Sequence, residues 1–183
     1  RLVGSEMCIR DRYKGMAVPP EQIVVGAGAE YLYLLLAQLL GREAVFAVED
    51  PGYPKIRQVY GKCGAACRPV PLDGQGVPPE ALGAAGASVV HLSPAHHYPT
   101  GLVTPIGRRQ ALLRWAEKAG GIIIEDDYDS EFRFTGRPIP TLQSIDTAGR
   151  VVYMNTFSQT ISPSMRVGFM VLPPRLLEQY LSL

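Results

Sequence analysis

Cysteine is scarce in this chain. Cys8, Cys63 and Cys67 are the only three in 183 residues, too few and too unevenly spaced for the disulfide framework of a small secreted fold. Cys63 and Cys67 have the spacing of half a zinc site, but no second pair or neighbouring histidine completes it, so no metal is expected. Charge of one sign is lacking too: 18 Lys and Arg stand against 17 Asp and Glu, without the clustered basic residues of a nucleic-acid surface. No apolar run approaches the roughly 20 residues that cross a bilayer. These absences leave a globular domain with no membrane span, expected in a reducing, cytoplasmic setting.

What is present is one domain's worth of chain with alternating patterns. Residues 1–12 have no apolar period, helix cap or signal-peptide layout, and resemble a translated sequencing-adapter segment. They are set aside as non-native, and the domain is expected over 13–183. Strands are expected at Ile23–Val25, Val45–Val48, Arg68–Leu72, Val89–Leu92, Ile122–Ile124, Val151–Met154 and Val167–Leu172. Between them, helices are expected at Ala29–Leu40, Tyr53–Cys63, Pro78–Ala85 and Ile106–Ala119, with a last one opening at Pro173-Pro174. Ile106–Ala119 is the best amphipathic pattern, with Ile106, Leu112, Leu113, Trp115 and Ala116 set against Arg108, Arg109, Arg114, Glu117 and Lys118. The alternation predicts an α/β fold with a mainly parallel sheet and helices on both faces.

Four polar clusters fall at strand carboxyl ends, where open α/β sheets bind ligands: Gly26–Glu30, Ser93–Gly101, Asp126–Tyr128 and Asn155–Arg166. Gly26-Ala27-Gly28-Ala29 suits an anion at a helix start, or simply a tight turn. Glu125-Asp126-Asp127-Tyr128-Asp129-Ser130-Glu131-Phe132 sets five carboxylates around a tyrosine after a buried strand. Such carboxylates must be solvated, metal-bound or paired; holding a protonated pyridine nitrogen, binding magnesium and forming a solvated acidic loop all remain open. Thr156-Phe157-Ser158-Gln159-Thr160 with Arg166 offers hydroxyls and a guanidinium for a phosphate, or a polar turn. Tyr53 taken alone reads as a packing aromatic, and His96 and His97 as loop-packing residues.

In order and spacing, Glu49–Pro54, His96–Gly101, Glu125–Phe132 and Thr156–Pro173 resemble the aminotransferase-like domain of MocR-type, GntR-family transcriptional regulators. The stretch Glu125–Phe132 is the most specific of these. The resemblance implies the large domain of a fold-type-I, pyridoxal 5'-phosphate (PLP) aminotransferase. By the same resemblance Gly28, Ala29 and Glu30 hold the cofactor phosphate, and Thr156, Ser158 and Arg166 complete its cup. Tyr53 stacks on the ring, Asp126 pairs with the ring nitrogen, and Tyr128 bonds the ring hydroxyl. Tyr98 stands where many aminotransferases carry the asparagine that also touches that hydroxyl.

One departure is decisive. The family places its cofactor-binding lysine between Ser158 and Thr160, where this chain has Gln159. Glutamine has neither a nucleophilic amine nor a useful proton affinity, so no catalytic residue is intact and any PLP is held non-covalently. The leading expectation is therefore an effector domain sensing PLP or a PLP–amino acid adduct. The alternatives are a PLP-dependent aminotransferase and a degenerate domain without cofactor. The expected partners are PLP and an amino acid or amine, a second copy in a homodimer, and DNA through an N-terminal winged helix outside 13–183. The family's C-terminal small domain is likewise expected outside this stretch.

Overall fold

The structure, a computed structural model, describes residues 16, 18–128, 139–156 and 166–182. Seven strands form one sheet: β1 (Ile23–Gly26), β2 (Val45–Asp50), β3 (Ala66–Pro71), β4 (Val89–Leu92), β5 (Ile122–Asp126), β6 (Val151–Thr156) and β7 (Gly168–Val171). The helices are α1 (Ala29–Leu40), α2 (Pro54–Lys62), α3 (Pro79–Ala84), α4 (Ile106–Ala119) and α5 (Pro174–Leu181), with short 3-10 turns at Pro20–Gln22 and Gln143–Ile145. The strand order is β1-β7-β6-β5-β4-β2-β3. β7 runs antiparallel to β1 and β6, while the other pairings are parallel. The α/β fold with its mainly parallel sheet is thus as expected.

The central strands are apolar on both sides because helices cover both faces. On one face, Leu32, Leu36 and Leu39 of α1, Ile56 and Tyr60 of α2, and Leu176 of α5 pack on Phe46, Val89, Ile124, Val152 and Met170. On the other, Leu82 of α3 and Leu112 and Ala116 of α4 pack on Ala47, Val90, Leu92, Ile123 and Val151. Successive side chains of a strand point to opposite faces, and this alternation divides the polar residues as well. His91 and Asp126 follow Val89 and Ile124 toward α1 and α2, whereas Glu125 follows Ile123 toward α4. Pro69 and Pro71 sit in β3, the sheet edge, where a missing N–H disrupts no inner ladder.

Strand bounds and one helix face are corrected: β2 and β6 run two residues past their expected ends, to Asp50 and Thr156, and β3 begins two residues earlier, at Ala66. β5 continues through Glu125 and Asp126, because these residues keep pairing with Tyr153 and Met154 of β6; the first two carboxylates lie in the strand rather than after it. Helix α4 has the predicted bounds, but its faces differ from the periodic reading. Ile106 is exposed, whereas Arg109, expected on the polar face, is 1% exposed. The reason is local demand at the start of α4. Arg109 donates from Nε to the Thr104 carbonyl (3.0 Å), from Nη2 to that of Pro94 (2.8 Å) and from Nη1 to that of Pro140 (3.1 Å). Nη1 also lies 3.5 Å from Glu125 Oε1.

Removing one partner of a buried ion pair leaves the other uncompensated. Arg109→Ala is therefore expected to lower the unfolding free energy by about 3–5 kcal/mol in urea titrations. Arg109→Lys should recover only a minor part, because an ammonium lacks the planar fork that serves several acceptors at once.

Candidate functional site

The parallel strands bring their carboxyl ends to one edge, and the register aligns them. Gly26 at the end of β1 pairs with Gly168 of β7, which pairs with Thr156 at the end of β6. One strand over, Asp126 ends β5 opposite Met154. Three of the four sequence-predicted clusters are described at this edge in full, and the fourth in part, through Asn155, Thr156 and Arg166.

At one end of the edge, helix α1 begins after Gly28, whose φ of 89° favours glycine, and no side chain caps it. The first N–H groups of a helix lack intrahelical acceptors, so the backbone at Ala29 and Glu30 is suited to an anion. Arg166 reaches over this start: a methyl group added to Gly28 would lie 3.6 Å from its Nε. Its side chain is 66% exposed, and Nη2 stands 3.9 Å from Glu30 Oε1, an ion pair open to water and correspondingly weak. Thr156 is half-buried beside it. Ser158 and Gln159 lie outside the described residues.

Farther along the edge, Asp126 is 4% exposed. Its Oδ2 accepts a 2.6 Å hydrogen bond from the Tyr33 hydroxyl and lies 3.3 Å from His91 Nε2. His91 Nδ1 is in turn 2.8 Å from the Tyr60 hydroxyl. Burial, and after it the Asp126 charge, push both phenols well above their ordinary range, so each stays protonated. A carboxylate only accepts, so the His91 nitrogen facing Asp126, Nε2, carries the proton, and in that neutral tautomer Nδ1 accepts from the Tyr60 hydroxyl. Tyr33, His91 and Tyr60 escaped the sequence reading. The available signal was His91, a single polar residue within the apolar run Val89–Leu92.

The flanking carboxylates are used differently. Glu125 Oε1 and Oε2 accept the N–H groups of Leu142 (2.8 Å) and Gln143 (3.0 Å), and Arg109 approaches Oε1. Tyr153 donates to Asp127 Oδ2 at 2.6 Å, and Asn155 Nδ2 donates to the Tyr153 hydroxyl at 3.2 Å. Asn155 Oδ1 accepts the Thr156 N–H at 2.6 Å, so Asn155 braces the end of β6. None of the three acidic residues Glu125, Asp126 and Asp127 is solvated, and no metal-ligating cluster occurs among the described residues.

Aromatic rings border the edge. Tyr53 precedes α2, 45% exposed, with its ring edge-on to Tyr98 at 6.0 Å. Tyr128 is half-buried, with the His96 ring edge-on at 6.1 Å. His97 packs its own loop, as expected: Nδ1 lies 2.8 Å from Thr100 Oγ1, and its backbone N–H donates to the Leu102 carbonyl. Its Nε2 lies 3.5 Å from Glu49 Oε2, which accepts the Ser93 N–H at 3.0 Å.

Burial pushes the Glu49 carboxyl up to about 8 from 4.5, and burial lowers the His97 imidazole. A carboxyl raised on folding stabilises the native state fully below its unfolded value and loses that contribution as pH rises through the folded one. Stability should therefore fall between about pH 4.5 and 8, with Glu125, pushed up to about 7 by burial, adding to the fall below pH 7. Glu49→Gln is expected to flatten the upper part of that decline in urea titrations at pH 5, 7 and 8.5. An unchanged slope between pH 7 and 8.5 would place the Glu49 proton elsewhere.

Comparison with known proteins agrees with this geometry. The family described as aminotransferase class I and II matches residues 6–183. The HTH-type transcriptional regulator YdeL of Bacillus subtilis is 39% identical over 166 residues, covering 91% of this chain and 36% of that protein. The rhizopine catabolism regulatory protein named MocR, of Rhizobium meliloti, is 36% identical over 168 residues, covering 91% and 34%. This chain thus spans about a third of the length of these relatives. Pyrococcus horikoshii kynurenine aminotransferase, solved with PMP, superposes with a TM-score of 0.85 at 26% identity, covering 98% of this chain and 47% of that one. With the sheet, the helix start over which Arg166 reaches and the buried Asp126 in place, the chain belongs to the aminotransferase class I and II family.

Proposed function

We propose that this chain is the cofactor-binding part of an aminotransferase-like effector domain in a MocR-type, GntR-family transcriptional regulator, holding PLP or a PLP–amino acid adduct without a covalent bond. The observation that carries this reading is Asp126, a buried carboxylate whose hydrogen bonds among the described residues all fall on Oδ2. Its second oxygen suits the N–H of a pyridinium ring.

The residues present fit the group. The uncapped start of α1 and Arg166 offer backbone donors and a guanidinium for a phosphate, with Thr156 adding a hydroxyl. Ser158 lies outside the described residues and is assigned to this cup by resemblance alone. Tyr53 supplies an accessible ring to cover one face of a planar ligand, and Tyr128 a phenol for the ring hydroxyl. Bound PLP supplies an electron-withdrawing ring. The chain's own residues bind and orient it, and Gln159 offers no amine to anchor it or move a proton.

The regulatory half of the proposal is supported by the relatives, which are regulators by name and longer than this chain. DNA binding belongs to a winged helix outside it, and the working assembly is a cytoplasmic homodimer. No described helix is long and apolar enough to cross a membrane.

Two outcomes are expected. A concentration of PLP a hundredfold above its Kd should raise the unfolding free energy by about 2.7 kcal/mol. Asp126→Asn should show a smaller shift at the same PLP concentration; equal thermal shifts would remove Asp126 from the site. In absorbance spectra, Gln159→Lys should acquire a covalent-cofactor band; borohydride, by reducing C=N to C–N, should abolish that band and make the attachment permanent, while the parent chain should release its PLP on dialysis. Release from both would mean that the pocket does not place PLP at residue 159.

A further inference from the structure

Asp126 has to do more than be negative: one of its oxygens must face the ligand. A carboxylate on a single side-chain bond turns freely unless its partners fix it, and here both partners grip the same atom. The Tyr33 hydroxyl and His91 Nε2 converge on Oδ2, at 2.6 and 3.3 Å. Their rings stand edge to face at 77° with centroids 5.1 Å apart, so the two donors brace each other as well. Behind His91, Tyr60 holds the imidazole tautomer and stacks on Phe46 in the core, with ring centroids 4.3 Å apart. Tyr33 sits one turn into α1, the helix whose start faces the anion-binding end of the edge. The distance between the phosphate end and the ring-nitrogen end is therefore set largely by one rigid element.

We propose that Tyr33 is a positioning residue for the ligand's ring nitrogen: with His91 it occupies Oδ2 of Asp126 and thereby reserves Oδ1 for a pyridinium N–H. Tyr33 touches Asp126 rather than the ligand. The proposal rests on the PLP reading above, and its test separates the two.

The test compares the dissociation constants of PLP and its 1-deaza analogue, in which a C–H replaces the ring nitrogen, for the 183-residue chain and its variants. The phosphate and ring face are common to both ligands, so their ratio isolates the ring-nitrogen contact. The parent should prefer PLP by about tenfold or more, the range of a hydrogen bond to a charged group. Tyr33→Phe keeps the ring and removes the hydroxyl. It should bind the analogue as the parent does, within about twofold, while its preference for PLP falls at least threefold toward that of Asp126→Asn. Tyr60→Phe, two bonds farther back, should fall between parent and Tyr33→Phe, and it carries the test if Tyr33→Phe does not fold.

A ratio in Tyr33→Phe equal to the parent's overturns the positioning role while leaving PLP binding intact. Equal weakening toward both ligands overturns it too, because it marks a generally disturbed pocket. If Tyr60→Phe has to stand in, an unchanged ratio there has the same force. Failure of the parent to bind either ligand overturns the PLP reading, and the positioning role with it.

Discussion

Three consecutive carboxylates, Glu125, Asp126 and Asp127, enter the interior at the end of one central strand, and the arrangement of the domain around that strand is largely an answer to them. A buried charge without partners is costly enough to unfold a domain of ordinary stability. The chain meets the demand from three directions. Glu125 turns toward α4, where Arg109 and the amides of Leu142 and Gln143 receive it. Asp126 turns toward α1 and β4, and Asp127 is bonded by Tyr153 of the neighbouring strand. The pleat of β5 makes the first division, since adjacent residues of a strand cannot face the same layer.

The three environments have different chemical consequences. Glu125 is bonded through both oxygens and is consumed by structure; it ties the segment after β5 back to the sheet. Asp126 takes its bonds on one oxygen and remains available on the other, at the edge where the strands end. In the proposed function, that asymmetry separates a structural carboxylate from a binding one. Both are buried acidic residues, and the direction of the donors distinguishes them. At the other end of the edge, Arg166 is exposed and, among the described residues, has a loose ion-pair partner in Glu30, a contact that a stronger anion could replace.

Gln159, assigned to the site by resemblance, gives the proposed function its character. The edge retains what holds a planar phosphate ester in place: an uncapped helix start, an arginine, a carboxylate and exposed aromatic rings. What the sequence lacks is the amine that would make the contact covalent. Loss of an anchor removes turnover before it removes recognition, because recognition is distributed over several groups while amine chemistry depends on one. The proposed binding role is in keeping with that division.

The amino-acid sequence by itself determined the α/β class, the order and approximate place of the elements and the edge at which the polar clusters gather. Period-two and period-3.6 patterns, prolines at helix starts and glycine after Ala119 report local geometry, and local geometry is encoded locally. It also settled the absence of the lysine, a matter of residue identity alone. Which polar residues serve one another was decided only by the tertiary structure. Arg109 read as a surface residue because periodicity does not register the carbonyls of Pro94, Thr104 and Pro140 waiting at the helix start. Tyr33 and His91 fall inside an expected helix and an expected strand and drew no separate reading, because their partner Asp126 lies 93 and 35 residues away along the chain. Hydrogen-bond partners so far apart leave no periodic trace, and only the packing of α1 and β4 around β5 brings them together.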